Sequence, residues 1–267
     1  MKKIFSYTVP CLSIFIIIMG SLVSCSKQNM NPDEGKPVVE SYLQPGLPAS
    51  VKLSRQIPVN ESDSGNYAIT NAVVKIYYQG TAYNLQHTAD GIYTNSQIAI
   101  LSGGVYNLSI SYNGFEVSAS TTIPSKPQNI TQSATSFTAP VFGAGMPTIP
   151  QPITVTWDNP NSEYYFLVVH PTDTISALGN FPGGGGGFGG FGGTVDQGNQ
   201  RSVNTNSFRY YGKHYMLLFH VQSDYAAFYN TTGSSSLNLT NIATTIVNGF
   251  GIFTGVAAAD SLFVQVY

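Results

Sequence analysis

"GVYNLSISYNGFEVSASTTIP", Gly104 to Pro124, alternates apolar and polar residues on both sides of an Asn-Gly pair. It reads as two strands about the turn Asn113-Gly114. Asn-Gly is the strongest short-range hairpin signal, because both central residues of the tight turn take positive φ. Working outward, "NAVVKIYYQGTAYNLQHT", Asn71 to Thr88, is a second pair of strands about Gln79-Gly80. "PVVESYLQPG" (Pro37–Gly46) and "SVKLSRQIPV" (Ser50–Val59) alternate as half-buried strands do. No amphipathic helix of ordinary length interrupts this segment, which is read as one β-domain over residues 37–124.

The order of its phrases is "NAVVKIYY", then "ADGIYTN", then "LSGGVYNLSISYNG". That order resembles β-sandwiches of the transthyretin-like or carboxypeptidase-regulatory-like kind. Such folds host many functions, so the resemblance implies a fold and no activity. Residues 125–151, rich in Pro, Ser and Thr, mark a linker or an edge strand. A second β-domain is expected over 152–267. Its phrases are "PITVTWDNP" with Trp157 at a strand end, "SEYYFLVVHP", "HYMLLFHVQSDYAAFY" and the closing "GFGIFTGVAAADSLFVQVY". A tryptophan on an early strand, a tyrosine-containing strand next and a long late aromatic strand resemble a fibronectin-III-like sandwich. The expected class is therefore all-β, two tandem β-sandwiches. The late aromatics would pack between sheets, each burying about 150–250 Å².

The chain opens with Lys2 and Lys3, an apolar run, and Leu22-Val23-Ser24-Cys25. This is a secretory signal over residues 1–24, too short and wrongly flanked for a stable membrane span. Its end resembles a bacterial lipobox, in which the cysteine becomes the lipidated amino terminus. Cys25 is the only cysteine left after cleavage. A lone cysteine in an exported chain forms no internal disulfide, and lipidation gives it a purpose. Acyl chains anchor by burial at about 0.8 kcal/mol per methylene. Residues 25–36 have no apolar periodicity and read as a tether.

Cleavage removes two lysines and leaves nine Lys plus Arg against thirteen Asp plus Glu, a net charge of −4. A basic nucleic-acid surface is excluded.

Gly183 to Gly193 hold nine glycines and two phenylalanines, within a loop expected over residues 179–200. A phosphate-binding loop needs a strand before it, a helix after it and a closing Lys-Ser or Lys-Thr. Here Thr194-Val195-Asp196 follow, and no lysine lies between Lys126 and Lys213. Two readings remain. One is a flexible insertion, unordered in the free protein because glycine loses most backbone entropy on ordering. The other is a docking element in which Phe181, Phe188 and Phe191 meet a partner groove or a membrane interface.

Catalytic and metal motifs are absent: there is no H-E-x-x-H, no G-x-S-x-G and no calcium loop. His214 and His220 share a face if one strand holds both, but six residues separate them by about 20 Å, too far for one metal. His170 and Asp173 read as a polar strand end. No enzyme activity, cofactor or metal is expected.

Several stretches together point to a family: the lipobox, "KPVVESYLQPGLPASVKLSRQIPV", "ITNAVVKIYYQG", "GVYNLSISYNGFEVSASTTIP" and "TTIVNGFGIFTG". Within the last, Asn248-Gly249-Phe250-Gly251-Ile252-Phe253 is similar to the family's late Asn-x-x-Gly-x-Gly-x-Phe pattern. Across residues 25–267 the chain resembles a Bacteroidota lipoprotein family called domain of unknown function 4249. The resemblance implies an accessory lipoprotein of the outer membrane, lipid-anchored at the cell surface, partnering a TonB-dependent receptor β-barrel in uptake. It carries over no catalytic residues, and the glycine-rich insertion departs from its pattern. A second class, a surface adhesin or carbohydrate-binding module, stays open because tyrosine is plentiful.

Overall fold

The computed structural model describes residues 35–56, 67–140, 149–172, 191–192, 194–232 and 244–267. Cys25, the signal segment, Phe181, Phe188 and Asp173 lie outside the described residues.

Seven strands build the first half: β1 (Pro37–Leu43), β2 (Ala49–Arg55), β3 (Val73–Tyr78), β4 (Thr81–Ala89), β5 (Ile92–Asn95), β6 (Val105–Tyr112) and β7 (Phe115–Thr122). Three of their connections are two-residue turns with both central residues at positive φ: Gln79-Gly80 (49° and 79°), Asp90-Gly91 (48° and 76°) and Asn113-Gly114 (47° and 83°). This backbone twist matches that of the flanking strands, which is why such turns close hairpins. β4 serves two sheets. Thr81–Leu85 pair with β3 and Gln86–Ala89 with β5, with a shift of register between His87 and Ala89. The chain thereby turns the corner from the sheet β4-β3-β6-β7 to the sheet β1-β2-β5-β4.

Alternation fills the space between these sheets. Val39 and Leu43, Val51 and Leu53, Val74 and Ile76, and Leu108 and Ile110 point inward and are buried. The buried tyrosines carry their hydroxyls to backbone partners. Tyr106 Oη donates to the Ala99 carbonyl (2.6 Å) and accepts from the Leu101 amide (2.9 Å). Tyr93 does the same for the Ile69 carbonyl and the Ala72 amide. Each ring thus buries a large apolar area with its polar tip satisfied.

The second half contains β8 (Thr131–Gln132), β9 (Ser136–Phe137), β10 (Ile153–Thr156), β11 (Tyr164–Pro171), β12 (Phe191–Gly192), β13 (Gln200–Val203), β14 (Gly212–Val221), β15 (Phe250–Ala258) and β16 (Leu262–Val266). A three-stranded sheet, β13-β10-β8, packs against the path β12-β11-β14-β16. Ile153, Val155 and Val203 of the first meet Tyr165, Leu167, Met216 and Leu218 of the second, with Trp157 5.5 Å from Tyr165 between ring centres. β9 continues this sheet beyond β16, and a three-stranded sheet stacked on the larger one makes this half a β-sandwich; the class is all-β.

Three features differ from the reading of the sequence. "HYMLLFHVQSDYAAFY" is not one strand: β14 ends at Val221, and a helix, α1 (Ser223–Thr232), follows. Asp224 in its first turn complements the helix dipole and accepts from the Tyr225 amide at 2.6 Å. The stretch 179–200 is not a loop throughout. Phe191–Gly192 pair with Val169–Val168, Val195 is buried, and Asp196 exchanges two backbone hydrogen bonds with Tyr165 (2.9 and 3.1 Å).

Third, the closing segment does not stay in the second half. Residues 250–255 of β15 pair in parallel with β1, while 256–258 pair with β14. β16 then continues along β14. Val247 bridges Ser118 of β7 by two backbone hydrogen bonds (3.2 and 2.8 Å), so Ile246 and Phe253 complete the first core. Glycine makes this approach possible. At Gly251 (φ 97°) a Cβ would overlap the Val39 carbonyl oxygen, and at Gly255 it would lie 2.5 Å from the Thr122 carbonyl oxygen.

Candidate functional site

Where β15 passes from one sandwich to the other, segments from both converge. Gly255 donates its amide to Thr121 Oγ1 (2.8 Å), and Gln222 Nε2 donates to the Thr122 carbonyl (2.9 Å). A cavity of about 420 Å³ opens beside them, lined by residues including Ser125, Glu163, His220 and Gln222.

His220 is the buried polar group of this cavity, 4% exposed and stacked on Tyr165 at 4.8 Å. Its Nδ1 lies 2.8 Å from the Ser125 carbonyl oxygen and 3.5 Å from Ser125 Oγ, and its Nε2 lies 3.4 Å from Glu163 Oε2. A serine, a histidine and a carboxylate in line suggest nucleophilic catalysis, but the hydrogen bonding contradicts it. A carbonyl oxygen only accepts, so the close partner of Ser125 O is Nδ1–H. The nitrogen nearest the serine hydroxyl therefore carries the proton and is no base for it. His220 ties the exit of β7 to β14 and is read here as a structural clasp.

The outer side of the junction carries rings. Tyr42 projects from β1, Phe166 from β11, and Tyr225 and Tyr229 from α1. Tyr225 lies 6.1 Å from Tyr42, 5.9 Å from Phe166 and 6.1 Å from Tyr229, and Phe166 lies 5.3 Å from Tyr229. β11 alternates strictly, so Tyr164 and Phe166 face out while Tyr165 and Leu167 face the core. Tyr42 remains 42% exposed and the other rings half-buried. Burial, with Tyr42 and Tyr229 nearby, pushes the Tyr225 hydroxyl up to about 12, so it is a neutral donor at physiological pH. Beneath the shelf, Asp224 Oδ1 accepts from Thr254 Oγ1 (2.7 Å) and ties α1 to β15. Burial raises the Asp224 carboxyl above its ordinary value, against the effect of these hydrogen bonds.

The residues singled out from sequence are scattered. Phe191 begins the edge strand β12, opposite Val169 of the strand that carries Phe166. β14 holds both His214 and His220, facing the core and buried. His170 is exposed on β11, and His87 lies against Tyr93 at 5.2 Å. Among the described residues, no three His, Cys, Asp or Glu side chains group to hold a metal ion, and no helix is long and apolar enough to cross a membrane. The shelf was missed because its rings come from three distant parts of the chain. The one local signal was the i, i+4 pair Tyr225 and Tyr229, which neighbours only if the segment is helical.

Two solved structures are similar in part. The chicken CNTN1 FN1-FN3 domains are 8% identical, over 87% of this chain and 69% of theirs, with a TM-score of 0.27. Domains A168-A170 of titin are 7% identical, over 88% of this chain and 68% of theirs, with a TM-score of 0.24. Both scores are below those of a shared overall arrangement. No curated protein matches the sequence. The profile of one family does, over residues 26–261 of 267, and the chain accordingly belongs to the family described as Domain of unknown function (DUF4249).

Proposed function

We propose that this chain is a non-enzymatic lipoprotein of the outer membrane, held by acyl chains on Cys25, which serves as an accessory partner of a TonB-dependent receptor in uptake. The observation that carries the docking part of this reading is the aromatic shelf of Tyr42, Phe166, Tyr225 and Tyr229. Partly exposed tyrosine and phenylalanine at a rigid junction are the residue types that concentrate binding energy in protein interfaces. The shelf draws on both sandwiches, so a partner seated there reads their fixed relation. Phe191, a candidate contact from the sequence, lies on the edge strand β12 of the sheet that carries Phe166.

Crosslinking in intact cells, followed by purification of the full chain, tests the proposal. A large β-barrel protein is expected in near-stoichiometric yield, and Phe166→Ser with Tyr225→Ser is expected to reduce its recovery at least tenfold. Recovery of a clean monomer, or undiminished capture by a folded double variant, would refute it.

A further inference from the structure

We propose that the first sandwich carries a binding groove for neutral carbohydrate on the outer face of the β4–β5 hairpin, apart from the aromatic shelf. The groove has a volume of about 770 Å³, within the roughly 300–1,000 Å³ usual for small-molecule sites. Asn84, Gln86, Thr94, Asn95, Ser96 and Gln97 line it, and none of its lining residues is charged.

The fold assembles this lining. Asn84 and Gln86 are two apart on β4, so both project from the outer face, and pairing sets Thr94 of β5 opposite Gln86. The Asn95 side chain is occupied in the scaffold: Nδ2 donates to the Asn84 carbonyl and Oδ1 accepts from the Gln97 amide, each at 2.7 Å. The side-chain amides of Asn84, Gln86 and Gln97 have no hydrogen-bond partner among the described residues.

Three primary amides offer paired donors beside an acceptor, the complement of adjacent hydroxyls that both donate and accept. Phosphates, carboxylates and cations find no counter-charge in this lining. The side of β4 left open where Thr81–Leu85 pair with β3 alone is capped beside the groove by Asn95, whose Nδ2 donates to the Asn84 carbonyl, so an extended peptide finds that backbone acceptor already taken. Neutral polyhydroxylated ligands remain, and sugars are the class that presents adjacent hydroxyls on a ring.

The test uses the full chain in detergent micelles with maltohexaose, cellohexaose, mannohexaose and xylohexaose as probes, read by saturation-transfer NMR and titration. At least one is expected to bind with a Kd of about 1 mM or tighter. Gln86→Glu, which keeps the shape and removes the donors, is expected to weaken that binding about tenfold, and Asn84→Ala with Gln97→Ala to abolish it. Phe166→Ser with Tyr225→Ser is expected to leave it unchanged, so this inference and the docking proposal fail separately. Absence of binding by all four probes would overturn the proposal, as would full affinity in Gln86→Glu at an unchanged melting temperature.

Discussion

Gly251→Ala is expected to lower the melting temperature by about 6–20 °C, far more than one added methyl group suggests. Gly251 sits inside β15 at φ 97°, opposite Val39 of β1, and a Cβ there would overlap the Val39 carbonyl oxygen. An alanine held at such an angle costs about 1–3 kcal/mol. The overlap is with backbone, so no rotamer change relieves it. β1 and β15 must move apart, and each ladder hydrogen bond weakened costs about 0.5–1.5 kcal/mol. The total is about 3–5 kcal/mol, and in chains of 150–250 residues each kcal/mol shifts the melting temperature by about 2–4 °C. Gly114→Ala is the matched control. Gly114 has a similar φ of 83°, but nothing lies within 4 Å of its Cβ position. Only the backbone cost of about 1–2 kcal/mol applies, a shift of about 2–8 °C. Thermal unfolding followed by circular dichroism measures both. A loss for Gly251→Ala no larger than for Gly114→Ala would refute the claim that β15 is locked against β1.

The remaining predictions follow from the same contacts. Tyr106→Phe removes a hydroxyl that serves both the Ala99 carbonyl and the Leu101 amide, and is expected to cost about 1–3 kcal/mol in denaturant unfolding. The Asp224 carboxyl is raised above 3.8 in the folded protein, so the folded state binds the proton more tightly and its stability falls as pH rises above that value. Asp224→Asn is accordingly expected to raise the melting temperature at neutral pH, with the gain vanishing in melts taken near pH 3.8. Tyr225 titrates near 12 when folded and 10.0 when unfolded, so Tyr225→Phe is expected to reduce the stability lost between pH 10 and 12 in alkaline melts. Cys25→Ala is expected to abolish palmitate labelling and release the chain from membranes, as fractionation would show.

How much was legible depended on how local the cause was. Gln79-Gly80 and Asn113-Gly114 announced their hairpins because the positive φ of a tight turn is a property of the turn residues themselves. Trp157 and Tyr165 likewise lie in the second core, as the alternation about them implied. Helix α1 was not legible. It begins one residue after β14 ends at Val221 and has only ten residues, too few to be stable without tertiary support. The crossing of β15 was hidden for a different reason. "GFGIFTGVAA" states that a strand forms with close neighbours, and only the folded chain states that the neighbours are β1, β7 and then β14. The amide groove was hidden in the same way, since Asn84 and Gln97 look like ordinary solvated positions until β4 and β5 pair.

The Gly-x-Gly-x-Phe stretch thus has a physical task that precedes any ligand. Gly249 and Gly251 let the chain run against the backbone of β1, and Phe253, fully buried, fills the core that this approach closes. Three residues after Phe253 the same strand enters the second sandwich. Tandem β-modules joined by a linker alone are free to reorient; modules that share a strand reorient only by breaking its pairing. The clasps Gln222–Thr122 and His220–Ser125 sit where such bending would begin. Under the docking proposal, this rigidity lets four rings from β1, β11 and α1 act as one surface without an ordering cost at each encounter. Loosening the shared strand by Gly251→Ala should therefore weaken partner capture as well as stability, although Gly251 lies inside the β1–β15 pairing and not on the shelf.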